Sequence, residues 1–268
     1  MSLLIPAPRF RAQERNYSGR PSLTWGANPI AHATPHTLGT KVEIIAATLY
    51  ETTWIGVTIY GTTLAATDTA ALVNIYTGAA GSEVILIPNL LAGWAPIVQQ
   101  GARRYEFPLR IPRGTRLSCD MQALITVDTC SVRVELADVD GWCGAGVECL
   151  GADTAASKGA AVTPGGAAEG TFTAIGTSGR LYRYVFATLA GNSDTTLGNG
   201  VQGLDIGTGG ALIAGLENFP VATNSLEYEV PTDEGRYVDV ASGTALQARL
   251  QSDTTDTEAK TVCIWGVY

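Results

Sequence analysis

Histidine is the scarcest chemistry-bearing residue in this chain, with two in 268 positions, His32 and His36. Their i, i+4 spacing would bring them together on a helix, but Pro35 lies between them and breaks one, so no zinc pair is expected. No G-x-S-x-G elbow, Walker loop or H-E-x-x-H occurs. Gly198-Asn199-Gly200-Val201-Gln202-Gly203 fits G-x-G-x-x-G in letters, but no βαβ pattern surrounds it and it reads as a loop. Asp138-Val139-Asp140-Gly141 starts like a calcium loop, yet Cys149 stands at the twelfth position, where a bidentate Glu belongs. Asp253, Asp256 and Glu258 cluster at an expected hairpin tip and read as a solvated turn. No stretch rich in both aromatics and carboxylates suggests a glycosidase cleft. The expectation is a protein that is not an enzyme and holds no cofactor and no metal.

Charge is also scarce. Charged residues make up 16% of the chain, against about 25% in ordinary soluble domains. A surface short of charge has less protection against self-association, which suits a protein partly covered in an assembly. The net charge of −8 argues against binding nucleic acid through its phosphates. The charge is uneven: residues 1–41 carry Arg9, Arg11, Arg15, Arg20 and Lys41 against Glu14 alone, and the remainder is strongly acidic. A basic arm leading an acidic body points to docking on an acidic neighbour, another copy of the same chain included.

Long apolar runs are missing. None reaches the ~18 residues of a membrane span, and Met1-Ser2-Leu3-Leu4-Ile5-Pro6 is too short and Pro-broken for a signal peptide. The five cysteines, Cys119, Cys130, Cys143, Cys149 and Cys263, are odd in number and form no CxxC. Reduced, buried thiols in a cytosolic product are therefore expected, with a Cys143–Cys149 pairing left open.

What is present is strand pattern. Residues 1–38 show no sustained period but hold Pro6, Pro8, Pro21, Pro29 and Pro35 with Phe10, Tyr17 and Trp25 between, an extended arm able to lay aromatic anchors on a partner. From Lys41, β-branched and aromatic runs at 42–50, 54–60, 72–76, 84–87, 104–109, 115–125 and 131–137 alternate with Gly, Pro, Asn and Asp. Glu51-Thr52-Thr53 reads as a turn joining the first two runs. Residues 141–170 are rich in Gly, Ala, Ser and Thr and read as a linker. A second series follows at 181–189, 211–216, 226–230, 236–240, 245–251 and 261–268.

The two series match. Ile111-Pro112-Arg113-Gly114-Thr115-Arg116-Leu117-Ser118-Cys119-Asp120-Met121-Gln122-Ala123 lies without gaps over Val240 to Ser252, with Gly, Thr, Leu and Gln coinciding. Ala47-Thr48-Leu49 answers Ala187-Thr188-Leu189, and Leu38-Gly39-Thr40 answers Ile175-Gly176-Thr177. The expected organisation is an all-β chain: an extended N-terminal arm over 1–38, a β-sandwich over 39–140, the linker over 141–170, and a second β-sandwich over 171–268.

The segment Gly78-Ala79-Ala80-Gly81-Ser82-Glu83-Val84-Ile85-Leu86-Ile87-Pro88-Asn89-Leu90, followed by Phe107-Pro108-Leu109-Arg110-Ile111-Pro112-Arg113-Gly114-Thr115-Arg116-Leu117, resembles a group of tailed-bacteriophage virion proteins over about residues 40–137. The second half shows the pattern faintly, with Ala248 in place of Cys119 and no Pro-Asn step. The resemblance implies tandem jelly-roll-like domains that pack on capsid or tail, and implies no chemistry. The expected function is that of a structural virion protein, foremost a head decoration or cement protein, assembled in the host bacterial cytoplasm. Expected partners are further copies of itself, as a homotrimer, and the major capsid protein or tail proteins. Neither nucleic acid nor membrane is an expected partner. The anchoring residues would be Arg9, Phe10, Arg11, Arg15, Tyr17, Arg20 and Trp25. A tail, baseplate or short-fibre component is the first alternative; a pair of carbohydrate-binding modules using Trp94 and Trp142 is the second.

Overall fold

A computed structural model describes residues 27, 29, 34–63, 71–92, 103–123, 129–152, 159–190, 201–220, 235–252 and 259–268. Among them every regular element is a β-strand, and every sheet is built from antiparallel pairs. The first set comprises β1 (Val42–Ile45), β2 (Trp54–Thr63), β3 (Ala71–Thr77), β4 (Val84–Ala92), β5 (Arg103–Phe107), β6 (Leu117–Ala123) and β7 (Thr129–Ala137). They form a four-stranded sheet in the order β1-β6-β3-β4 and a three-stranded sheet in the order β5-β2-β7. Alternation sets the inward face: Ile55, Val57 and Ile59 of β2, Tyr105 and Phe107 of β5, and Leu117, Cys119 and Met121 of β6 enter one buried core. The turn expected at Glu51-Thr52-Thr53 is not a hairpin. The run expected to extend to Tyr50 stops at Ile45, and the chain crosses between sheets, because β1 pairs β6 while β2 pairs β5 and β7.

Next come β8 (Val147–Leu150), β9 (Ala160–Val162), β10 (Thr173–Thr177), β11 (Tyr182–Ala190), β12 (Val201–Thr208), β13 (Ala211–Leu212), β14 (Phe219–Pro220), β15 (Arg236–Val240), β16 (Ala245–Ser252) and β17 (Lys260–Val267). Strands β10, β16, β12 and β14 neighbour one another as β1, β6, β3 and β4 do, and β15-β11-β17 repeats β5-β2-β7. The registers repeat as well. Val73↔Met121 and Ile75↔Cys119 have their counterparts in Leu204↔Leu250 and Ile206↔Ala248. Val57↔Val134 and Ile59↔Val132 have theirs in Ala187↔Ile264 and Leu189↔Val262. Even the irregularity after Glu43 on β1 recurs after Ala174 on β10.

The matched turn is the same device in both halves. Gly114 and Gly243 take φ of 80° and 83°, backbone that a side chain disfavours. Thr115 Oγ1 donates to Pro112 O at 2.7 Å, and Thr244 Oγ1 donates to Ala241 O at 2.7 Å. A second hydroxyl braces each turn: the amide of Thr115 donates to Thr48 Oγ1 and that of Thr244 to Ser178 Oγ, both at 3.0 Å. The counterpart of Thr48 is thus Ser178 rather than Thr188. The counterparts of Ile175 and Gly176 lie within β1 rather than at Leu38 and Gly39. Those two short sequence matches were coincidences of composition.

A further repeat is absent from the aligned letters. Asn89 and Asn218 both sit in left-handed backbone, at φ 52° and 55°. The Asn89 amide donates to Asn74 Oδ1 at 2.9 Å, and that of Asn218 donates to Asp205 Oδ1 at 2.7 Å. The Pro-Asn step therefore has its equivalent in Glu217-Asn218, without the proline.

The two halves share packing. Strands β11 and β17 are buried on both faces. Val185, Ala187, Val262 and Ile264 enter the second core, whereas Phe186, Cys263, Trp265 and Val267 join the first. There Phe186 and Trp265 meet Tyr105 and Phe107 with ring centroids 5.5–6.0 Å apart. Trp265 Nε1 donates to Pro88 O at 3.0 Å. The stretch 141–170 is not a bare linker: β8 and β9 both pair β17. Small side chains concealed this, because a Gly- and Ala-rich segment retains every backbone donor and acceptor a ladder needs. Closeness favours them here, since a Cβ on Gly144 would lie 2.5 Å from Tyr268 O.

Candidate interaction surfaces

The arm residues Arg9, Phe10, Arg11, Arg15, Tyr17, Arg20 and Trp25 lie outside the described residues, as does His32. The root of the arm is described. Ala27 and Val132 exchange backbone hydrogen bonds at 3.0 and 2.8 Å, and the Cys130 amide donates to Pro29 O at 3.5 Å. Ala27 and Pro29 thus lie along the side of β7 that does not pair β2. His36 has φ 59°, and its amide donates to Ala123 O at 2.9 Å.

The outward face of β5-β2-β7 carries a charge ladder. Arg104 Nε reaches Glu106 Oε1 at 2.6 Å, its Nη2 reaches Glu135 Oε2 at 2.8 Å, and Arg133 Nη2 reaches Glu135 Oε1 at 2.7 Å. The guanidinium of Arg104 also lies 5.6 Å from the ring centroid of Trp54. Partial burial works against its charge, and Glu106 and Glu135 more than offset this, holding its pKa above that of an ordinary arginine. The matching face of β15-β11-β17 is aromatic: Gly56 and Glu135 occupy the register positions of Phe186 and Trp265. One copy of the repeat spends this face on the contact between halves, and the other presents it outward as ion pairs. The sequence signal was available, as Arg104-Tyr105-Glu106 and Arg133-Val134-Glu135 each place Arg and Glu two apart, on one face of a strand.

Two buried polar groups sit at equivalent places in the halves. Asp120 accepts from Tyr76 Oη at 2.7 Å and from Asn74 Nδ2 at 2.9 Å. Burial pushes the Asp120 carboxyl above the usual carboxylate range, against those two hydrogen bonds, which pull it down. In the second half Arg249 Nε donates to Asp205 Oδ2 at 3.0 Å. In each half the residue on β3 or β12 also takes the amide of the left-handed asparagine. These groups tie β3 to an irregular step within β4, and β12 to the residue that leads into β14.

The remaining sequence candidates separate. Asp138 Oδ1 accepts from Thr53 Oγ1 at 3.2 Å, and no group of three metal-ligating side chains gathers among the described residues. Asp253, Asp256, Glu258 and Trp94 lie outside the described residues. Trp142 is half-buried against the first core. Val201 to Gly203, expected in a loop, begin β12, and none of the five cysteines is joined in a disulfide. The chain matches no protein-family model and no curated protein.

Proposed function

We propose that this chain is a structural component of a tailed-phage particle, a head decoration protein that binds the major capsid protein and further copies of itself. The observation that supports this reading is a basic, aromatic N-terminal sequence that leads into Ala27, which pairs β7 on the side away from β2 in an acidic all-β body. Cement adds buried interface to a shell, and an arm that reaches a neighbour supplies it without new chemistry. The resemblance to virion proteins falls on residues that frame the first half: Gly78 at a turn, Asn89 in left-handed backbone, and the Pro112 to Thr115 turn. Their duplication in the second half gives one chain two surfaces of related shape, of which the ion-pair face is turned outward.

The test is cosedimentation of the purified chain with emptied capsid shells. Binding by the full chain, weakened when residues 1–26 are removed and when salt is raised, is the expected result. Binding that ignores both changes contradicts a docking arm, and no binding to shells contradicts the head location.

A further inference from the structure

We propose that the hairpin tips Val84-Ile85 and Ala211-Leu212 form a duplicated apolar contact, each tip seated on one of two neighbouring, identical subunits of the particle shell. The inference rests on the particle reading above and names the surface which that reading uses. Register makes the tips equivalent. Ile75↔Cys119 corresponds to Ile206↔Ala248, so Tyr76 corresponds to Gly207 and Thr77 to Thr208. Tyr76 pairs Ile85 and Thr77 pairs Val84, as Gly207 pairs Leu212 and Thr208 pairs Ala211.

Val84 and Ile85 are 67% and 49% exposed, and Leu212 is 45% exposed. Single exposed apolar side chains are ordinary on a protein surface; their distribution here is not. Nine large apolar side chains are exposed among the described residues, and six of them lie at the turn end of one sandwich or the other. In the first half this end forms where the Gly78 amide donates to Arg116 O and the Gly114 amide to Thr48 O, and it carries Leu49 and Tyr50 as well. In the second half the Gly243 amide donates to Ser178 O, and the end carries Leu181 with Leu212. The halves have diverged on their β5-β2-β7 and β15-β11-β17 faces, with Glu135 where Trp265 stands, yet both keep an exposed apolar residue at this position.

Both tips are braced. Glu83 Oε1 meets Arg116 Nη1 at 3.0 Å, and its Oε2 accepts from the Gly81 amide at 2.9 Å. In the second half Gly209 and Gly210 turn in left-handed backbone, and the Gly210 amide donates to Gln247 Oε1 at 2.8 Å. A surface ordered before contact loses little conformational entropy on binding. Duplication identifies the occupant. One chain with the same contact twice fits a partner that offers the same site twice, and a shell built by symmetry from one subunit does so. A tip meeting a tip of another copy brings together only a few residues a side, against the roughly 20–30 of a stable interface.

The test measures binding to emptied capsid shells by the full chain, by Ile85→Asp, by Leu212→Asp and by the double variant. Both side chains are exposed, so urea unfolding midpoints should match the wild type, which checks that the variants fold. Each single variant should lose about 100-fold in affinity, because losing one of two linked contacts forfeits avidity. The double variant should lose more. Undiminished binding by the double variant overturns the proposal and leaves the particle reading standing. Loss in Ile85→Asp with none in Leu212→Asp overturns the duplicated contact. Failure of the wild-type chain to bind shells overturns the particle reading and this inference with it. Self-association of the isolated wild-type chain that both single variants abolish, seen by sedimentation velocity, overturns it in favour of a second copy as the occupant.

Discussion

Asn89 and Asn218 show how far a single backbone conformation constrains a residue. An L-residue in left-handed backbone costs roughly 1–2 kcal/mol, and asparagine and glycine tolerate it best. Asn218→Ala should therefore lower stability by about 1–2 kcal/mol, and Asn218→Gly should be tolerated, as measured by urea unfolding. Equal loss in both variants would assign the cost to the side chain instead. The cysteines carry a pH dependence. Burial pushes the Cys130 thiol up to about 12 and raises Cys119 and Cys263 as well. These thiols stay neutral in the folded state. Their contribution is complete below the ordinary thiol pKa of about 8.5 and is lost as pH rises from there toward the folded values. Unfolding free energy should fall from pH ~8.5 upward, and Cys130→Ala should remove on the order of 1.4 kcal/mol per pH unit from that slope. An unchanged slope in the variant would contradict the burial argument. At this scale the buried thiols at Cys119 and Cys263 were legible in the sequence, because they sit in alternating apolar runs. The asparagine pair was not, because Pro88 precedes one and Glu217 the other.

Between elements, equivalent positions carry opposite duties. Trp265 is fully buried between the halves, and its register equivalent Glu135 holds the outward ion pairs. Trp265→Ala should cost about 3–5 kcal/mol, and Glu135→Ala less, about 1 kcal/mol, the worth of ion pairs near the surface. Urea unfolding of the two variants side by side checks the contrast. Alternation in the sequence located β2, β3, β5, β6, β7, β11, β16 and β17, and the Gly-Thr turn exposed the duplication. It did not find β8, β9 or β12, where glycine and alanine replace the branched residues that mark a strand. Nor did it show that β1 and β2 belong to different sheets, since a local pattern names strands and leaves their partners open. Proline spacing and charge mark the N-terminal segment in the sequence, whereas the members of the ion-pair face come together only through the pairing of β2 with β5 and β7.

For the whole molecule, a sheet buried on both faces ties the two cores together. Thermal unfolding should accordingly be a single transition, with calorimetric and van't Hoff enthalpies in agreement. Two separated transitions would mean that the halves unfold independently despite Trp265 and Phe186. The proposed place of this duplicated body is on a phage head. The direct measurement is the copy number of this chain in purified intact particles, by quantitative mass spectrometry against the major capsid protein. Copies in fixed proportion to the capsid protein are the expected result. A number matching the few copies of a tail component, or absence from the particles, would contradict the head decoration role.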